Sequence, residues 1–168
     1  MERIGDVSSI ERRLITELKE VFSDIQLAGK SKVDDLESSL EMLKTLRGLV
    51  YEKMNQIPHE ALILKTAKLL QDEFYPNIHI EWLWNPRQTG KKSEPDLQGL
   101  DKEKVIVSAE ITTSSKSQGT INTRMAFVLQ KLSAMPGDKY YVVTTEDMEH
   151  SAKSKISSLG YQINILRV

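Results

Sequence analysis

The sequence contains no cysteine, which excludes disulfide bonds, thiolate catalysis and cysteine-based zinc or iron–sulfur sites. It also lacks long hydrophobic runs. The longest have four or five residues, as at positions 61–64, whereas a membrane-spanning helix needs about 20. Residues 1–6 show no apolar signal-peptide core. We therefore expect a cytoplasmic protein with no membrane partner.

Neither sign of charge dominates the sequence. The chain has 23 Lys and Arg residues against 24 Asp and Glu, for a net charge of -1. No overall basic field attracts nucleic acid, so any such binding needs a local patch. The three histidines, His59, His79 and His150, are too scattered for a metal cluster or a catalytic triad. GxGxxG and Walker loops are absent too, which argues against a nucleotide cofactor.

The first part of the chain, up to residue 57, shows a helical pattern and contains no proline. Its apolar residues recur every three or four positions, which predicts two helices. Those of the first helix are Ile10, Leu14, Leu18, Val21, Phe22 and Ile25. Those of the second are Val33, Leu36, Leu40, Leu43, Leu46, Val50, Met54 and Ile57. We expect residues 1–57 to form an antiparallel helical hairpin that packs on the rest of the chain or, as a homodimerisation element, on a second copy.

From Pro58 onward, helical and strand patterns alternate. Helical spacing predicts helices over 58–75, with Pro58 at the first helical position, and over 120–135 and 151–159. Runs rich in β-branched and aromatic residues predict strands over 78–84, 96–100, 104–111, 140–144 and 161–166. The order α-β-β-β-α-β-α-β predicts an α/β domain over residues 58–168, with a mixed β-sheet flanked by helices on both faces.

Two carboxylates stand at the ends of neighbouring predicted strands. Asp96 begins one strand, and Glu110 lies near the end of the next. If the two strands form a hairpin, both side chains project at one edge of the sheet, where their mutual repulsion favours a bound cation. Oxygen ligands select hard ions such as Mg²⁺. Such an ion can polarise a phosphodiester and lower the pKa of its bound water.

The stretch Pro95-Asp96, followed by Glu110-Ile111-Thr112 at the end of the next strand, resembles the PD-(D/E)XK nuclease superfamily. The resemblance covers residues 58–168 and implies a restriction-endonuclease-like fold. It implies that the side chains of Asp96 and Glu110 and the carbonyl of Ile111 bind Mg²⁺ or Mn²⁺.

The family often adds a glutamate from the preceding helix to this site. Glu60 fits that position better than Glu73, because it lies closer to the predicted apolar face of the helix. We therefore expect Glu60 to be the additional catalytic carboxylate.

The sequence departs from the family where the motif lysine is expected, because Thr112 occupies that position. A lysine would orient the attacking water and offset developing negative charge, whereas threonine can hydrogen-bond but carries no charge. In some members of the family a basic residue has moved to the next helix. Lys116, Arg124 and Lys131 are candidate substitutes and candidate nucleic-acid contacts, and Lys131 lies on a helix expected to lean over the site.

Each of these features also has a simpler interpretation. Pro95-Asp96 could merely open a turn, and Glu110 could form a strand-end salt bridge with a lysine or arginine. Thr112 could simply continue the strand. The basic loop 87–92 either contacts a nucleic-acid backbone or is solvated.

Three functions follow from these interpretations. The first is a metal-dependent endonuclease that hydrolyses DNA phosphodiester bonds, in which Asp96 and Glu110 hold the ion and Thr112 helps to position water. The hairpin would then pair two copies, with one site for each DNA strand. The second is a catalytically inactive nuclease fold that binds nucleic acid or protein. The missing lysine and the near-neutral charge favour it. The third is an unrelated α/β interaction domain.

Overall fold

The structure is a computed structural model that describes residues 1–32, 34–88 and 93–168. Val33 of the predicted second helix and residues 89–92 of the basic loop lie outside the described residues. The described part contains six strands and four α-helices. They are β1 (Glu2–Arg3), α1 (Val7–Gly29), α2 (Leu36–Leu69), β2 (Glu81–Trp84), β3 (Leu97–Asp101), β4 (Lys104–Ile111), α3 (Thr120–Ser133), β5 (Asp138–Val143), α4 (Glu146–Leu159) and β6 (Asn164–Arg167).

The chain divides into two compact units. One is Asp6–Ala61, and the other joins Met1–Gly5 to Leu62–Val168. None of the helices in the described ranges is both long enough and apolar enough to cross a membrane.

Helix α2 passes through Pro58 without a break, so the prediction that a helix starts at this proline is wrong. A proline inside a helix removes one backbone hydrogen bond, here the bond to the carbonyl of Met54. The sequence on both sides keeps a helical pattern, and the remaining bonds of the helix are enough to carry it past the gap. After Leu69 the helix widens into a π-helical turn, Leu70–Phe74.

The unit Asp6–Ala61 is an antiparallel pair formed by α1 and the first part of α2. Lys53 on α2 contacts Glu20 on α1, with 2.7 Å between Nζ and Oε2. Nearer the start of α1, Arg13 forms an ion pair with Glu60. These two ion pairs show that the helices are antiparallel, because residue 13 of α1 lies beside residue 60 of α2 and residue 20 lies beside residue 53.

The second unit contains a six-stranded mixed sheet with the strands in sequence order. Neighbouring strands from β1 to β4 are antiparallel, whereas β4, β5 and β6 run parallel. The predicted α/β class with a mixed sheet is therefore confirmed. The parallel strands are joined through α3 and α4, as parallel connections require.

Adjacent residues of β5 point to opposite faces of the sheet and show what covers each face. Tyr141 and Val143 belong to a buried core with side chains from α3 and α4. Tyr140, on the other face, packs edge to face against Phe74 with ring centroids 5.8 Å apart. Its hydroxyl lies 3.1 Å from that of Tyr75. Because Tyr141 and Val143 pack against α3 and α4, these two helices cover the first face of the sheet.

Candidate functional site

The register of β3 and β4 brings the two predicted carboxylates together. The strands are antiparallel, with Leu97 opposite Ala109. One residue beyond this pair, Asp96 comes opposite Glu110. Opposed residues of an antiparallel ladder project to the same face, with Cβ atoms about 4.5–5.5 Å apart. Both side chains are buried.

Asp96 forms hydrogen bonds on both sides, one with β4 and one with the residue that follows β2. Its Oδ2 accepts a hydrogen bond of 2.8 Å from the amide of Ile111 on β4. Its carbonyl oxygen accepts one of 2.9 Å from the amide of Asn85, which follows β2. The carboxylate is therefore held at the end of the strand hairpin by hydrogen bonds on both sides.

Glu110 forms an ion pair with Lys131 of α3. The Lys131 ammonium also donates a hydrogen bond of 3.1 Å to the carbonyl of Glu94. The structure therefore shows the salt bridge that was the simpler interpretation of Glu110. It equally shows that Lys131, a candidate for the missing lysine, extends from α3 to Glu110, the residue opposite Asp96.

Thr112 continues the ladder one residue past the end of β4. Its amide donates to the carbonyl of Val142 on β5, at 3.0 Å. Strand alternation places its side chain on the same face as Glu110. The hydroxyl accepts a hydrogen bond of 3.2 Å from the amide of Ser114, so the start of the following loop folds back on this side chain.

Tyr141 is a neighbour of the site that the sequence analysis did not identify. It lies beside Glu110 in the parallel register of β4 and β5. Burial raises the pKa of its phenol to about 12, and the negative charges of Glu110 and Asp96 contribute in the same direction, while Arg124 opposes them. The tyrosine therefore stays protonated at neutral pH and presents a hydroxyl group near the carboxylates.

The other two basic candidates lie further out. Arg124 is exposed on α3, yet its charge acts on Tyr141, so it lies within electrostatic range of the site. Lys116 is exposed in the loop between β4 and α3. That loop is attached to the start of α4, where the Thr145 hydroxyl donates to the carbonyl of Ser115 at 2.8 Å.

Glu60, predicted as an additional catalytic carboxylate, belongs to the unit Asp6–Ala61. It is fully buried and pairs with Arg13. No local sequence pattern indicates this partner, because the two residues lie 47 positions apart. Glu73, the less favoured alternative, is exposed.

A cation at this site would have an oxygen-only donor set. In the described ranges, no three His, Asp or Glu side chains gather into a group that could hold a metal. Two carboxylates and a backbone carbonyl nevertheless suit Mg²⁺, which usually keeps several waters and takes only one or two carboxylates from the protein. Asp96, Glu110 and the Ile111 carbonyl fit that chemistry, although the Lys131 ammonium offsets part of the negative charge.

The basic loop predicted over 87–92 is described only in part. Arg87 is exposed and has a positive φ of 57°, whereas residues 89–92 lie outside the described ranges.

A scan against models of known families, a search of curated proteins and a search of solved structures each found no match.

Proposed function

We propose that this protein is a divalent-metal-dependent endonuclease of the PD-(D/E)XK type, with a restriction-endonuclease-like fold, that hydrolyses DNA phosphodiester bonds. One observation carries the proposal. Asp96 and Glu110, both buried, face the same side of one strand pair beneath a lysine that α3 supplies.

The connections around the site support the proposal. A helix leads into the antiparallel strands β2, β3 and β4, and α3 then crosses over to the parallel strand β5. This is the order that the resemblance implies for residues 58–168. The two carboxylates lie at the C-terminal end of β4, where the chain continues towards α3.

In this proposal Asp96, Glu110 and the Ile111 carbonyl hold Mg²⁺ or Mn²⁺. When bound, the ion supplies a water of lowered pKa and polarises the phosphate. Lys131 takes the part of the motif lysine, because its ammonium lies at the carboxylates and can offset the charge that develops on the phosphate. Thr112, on the same face as Glu110, donates a hydrogen bond that orients the attacking water.

The principal alternative is a nuclease fold that binds nucleic acid or protein without cleaving it. One observation favours this alternative. The Lys131 ammonium pairs with Glu110, and the Ile111 amide donates to Asp96. Both carboxylates therefore have partners within the protein, and the position of the motif lysine holds the uncharged Thr112.

Calorimetry and plasmid nicking distinguish the two functions. Mg²⁺ and Mn²⁺ are titrated into the full chain and into the variants Asp96→Asn and Glu110→Gln. Nicking of supercoiled DNA is then measured with the same proteins. Both substitutions remove charge and keep the shape of the side chain, and Asn at position 96 still offers an oxygen to the Ile111 amide. Asp101→Asn, at the opposite end of β3, is the matched control.

The endonuclease proposal expects wild-type protein and the control to bind the ion and nick DNA. The two site variants should lose the ion, and their nicking rate should fall roughly 100-fold or more. If wild-type protein does not respond to either metal but retains DNA binding, the binding module is the correct function. Nicking that survives both site substitutions overturns the assignment of this site.

A further inference from the structure

The helical unit Asp6–Ala61 exposes a row of large apolar side chains on each of its helices. Each is between 37% and 77% exposed. On α1 they are Ile15, Leu18, Phe22 and Ile25. On α2 they are Leu36, Leu40, Leu43, Tyr51 and Met54. We call these two rows the outer stripe. A monomeric protein rarely leaves so many large apolar residues together in water.

Most residues of the outer stripe come one position after a less exposed residue on the inner side of the hairpin. On α1 the inner positions that face α2 are 14, 17, 21 and 24, and the exposed residues come one position later. On α2 the inner positions 39, 42, 50 and 53 likewise precede exposed apolar residues. One residue is a turn of about 100° around a helix, so each outer row lies about a quarter turn from the seam of the hairpin.

Both outer rows lie on the same side of the hairpin. Each row is displaced from its seam in the same sense along the chain. Because the two helices are antiparallel, as the pairs Lys53–Glu20 and Arg13–Glu60 show, equal displacements turn both rows towards one side. The rows therefore form one continuous apolar face across α1 and α2.

The hairpin is apolar at its seam and again on this outer face. The seam contains the buried Leu14 and Val21 of α1 and Val50 of α2. One charged residue, Arg47, interrupts the α2 row of the outer stripe, and its guanidinium lies over the Tyr51 ring, 5.3 Å from the ring centroid. A helix pair with a second apolar face has the pattern of half a four-helix bundle, whose core takes side chains from facing helices.

We infer that the hairpin binds a second copy of this chain through the outer stripe and forms a four-helix bundle with it. A second copy presents the same three-and-four spacing, which is what knobs-into-holes packing requires. A two-fold contact also uses the same patch on both partners. Nine large side chains that are each 37–77% exposed present an area of the order of the ~800 Å² that each partner of a standard interface buries.

Sedimentation of the full chain at increasing concentration tests this inference. The wild-type protein should reach twice the 19.1 kDa mass of one chain and remain there. Phe22→Glu and Leu43→Glu place charges in the outer stripe, one on each helix, and should weaken the dimer by roughly 100-fold or more, because a charge is costly to bury. Arg47→Leu completes the stripe and should strengthen the dimer.

Leu27→Glu and Leu49→Glu are the matched controls. Both leucines are exposed, one on each helix, and lie away from the outer stripe. These variants should sediment like wild-type protein, with helix content checked by circular dichroism. A wild-type chain that stays monomeric near 100 μM overturns the inference. So does a dimer that resists both outer substitutions, equal effects of outer and control substitutions, or growth into assemblies larger than two. The inference does not depend on the proposed nuclease activity.

Discussion

The Asp96 carboxylate accepts a hydrogen bond of 2.8 Å from the backbone amide of Ile111, across the ladder that joins β3 and β4. This hydrogen bond joins the ends of the two strands. It holds the Asp96 carboxylate, one candidate metal ligand, beside Ile111, whose carbonyl is another. A single side chain therefore has a structural role and a proposed chemical role, and the two can be separated by substitution.

Asp96→Ala should lower the free energy of unfolding by about 1–3 kcal/mol, because the buried Ile111 amide loses this acceptor. Asp96→Asn should remain within about 1 kcal/mol of wild type, since its amide oxygen can still accept the bond. Urea denaturation of the three proteins measures both effects. Equal losses in the two variants would show that the charge of Asp96, and not the hydrogen bond, stabilises the fold.

Pro58→Ala should stabilise α2. The substitution supplies the amide that proline lacks and allows a hydrogen bond to the Met54 carbonyl, so the free energy of unfolding should rise by about 1–3 kcal/mol. Gly48→Ala is a control in the same helix, where an added Cβ meets nothing within 4 Å. Better helix propensity alone should give this control about 1 kcal/mol. A proline variant that gains no more than the glycine variant would contradict the expectation.

Strand alternation was sufficient to predict the carboxylate pair, because the run at 104–111 is apolar and a turn signal precedes it. The contact between Lys131 and Glu110 requires the crossover through α3 to be known, and no local pattern contains that information. The position of Tyr141 depends on the register of two parallel strands, which side-chain periodicity does not determine.

Helix boundaries show the same limit. The helix predicted over 151–159 begins at Glu146, because the Thr145 side chain accepts a hydrogen bond of 3.3 Å from the amide of Met148 and caps it. At Pro58 the predicted start of the helix is too late, because the helix already runs through this residue. A proline is a usual first helical residue, and only the continuation of helical structure on both sides shows that here it is an interior one.

Tyr141 should make the protein less stable in alkali. Burial raises its pKa in the folded protein to about 12, above the usual value of 10.0. The stability that the neutral phenol contributes is therefore fully present below pH 10. It is lost as the pH rises from 10 towards 12, because in this range the phenol has lost its proton in the unfolded chain but keeps it in the folded protein. Two pKa units correspond to roughly 2–3 kcal/mol.

Tyr141→Phe should reduce the fall in the free energy of unfolding between pH 8 and pH 12, measured by urea denaturation at each pH. Tyr75 and Tyr140, whose pKa values burial also raises, should keep part of the slope. An identical profile for the Tyr141 variant would show that its phenol titrates normally.

The ion pair of Lys131 and Glu110 should stabilise the fold more than an exposed pair does. Lys131→Met leaves a buried carboxylate without its ammonium and should lower the free energy of unfolding by about 2–4 kcal/mol. Adding Glu110→Gln should recover part of this loss, with a coupling energy of about 1–3 kcal/mol in the double-mutant cycle. Lys153→Met breaks a pair in which the lysine is exposed and Glu149 keeps a second partner, Arg167, and should cost much less. Additive losses for the two site substitutions would mean that the pair contributes nothing of its own.

Lys131 also separates metal binding from cleavage in the proposed function. Because Lys131→Met removes a positive charge beside the two carboxylates, Mn²⁺ affinity measured by calorimetry should rise, on the order of 10-fold. Nicking at saturating Mn²⁺ should nevertheless fall roughly 100-fold, since the charge that offsets the phosphate is gone. Lys131→Arg keeps the charge and should recover part of the rate. Tighter Mn²⁺ binding together with undiminished nicking would show that Lys131 only neutralises Glu110 while no ion is bound. Another group would then replace the motif lysine.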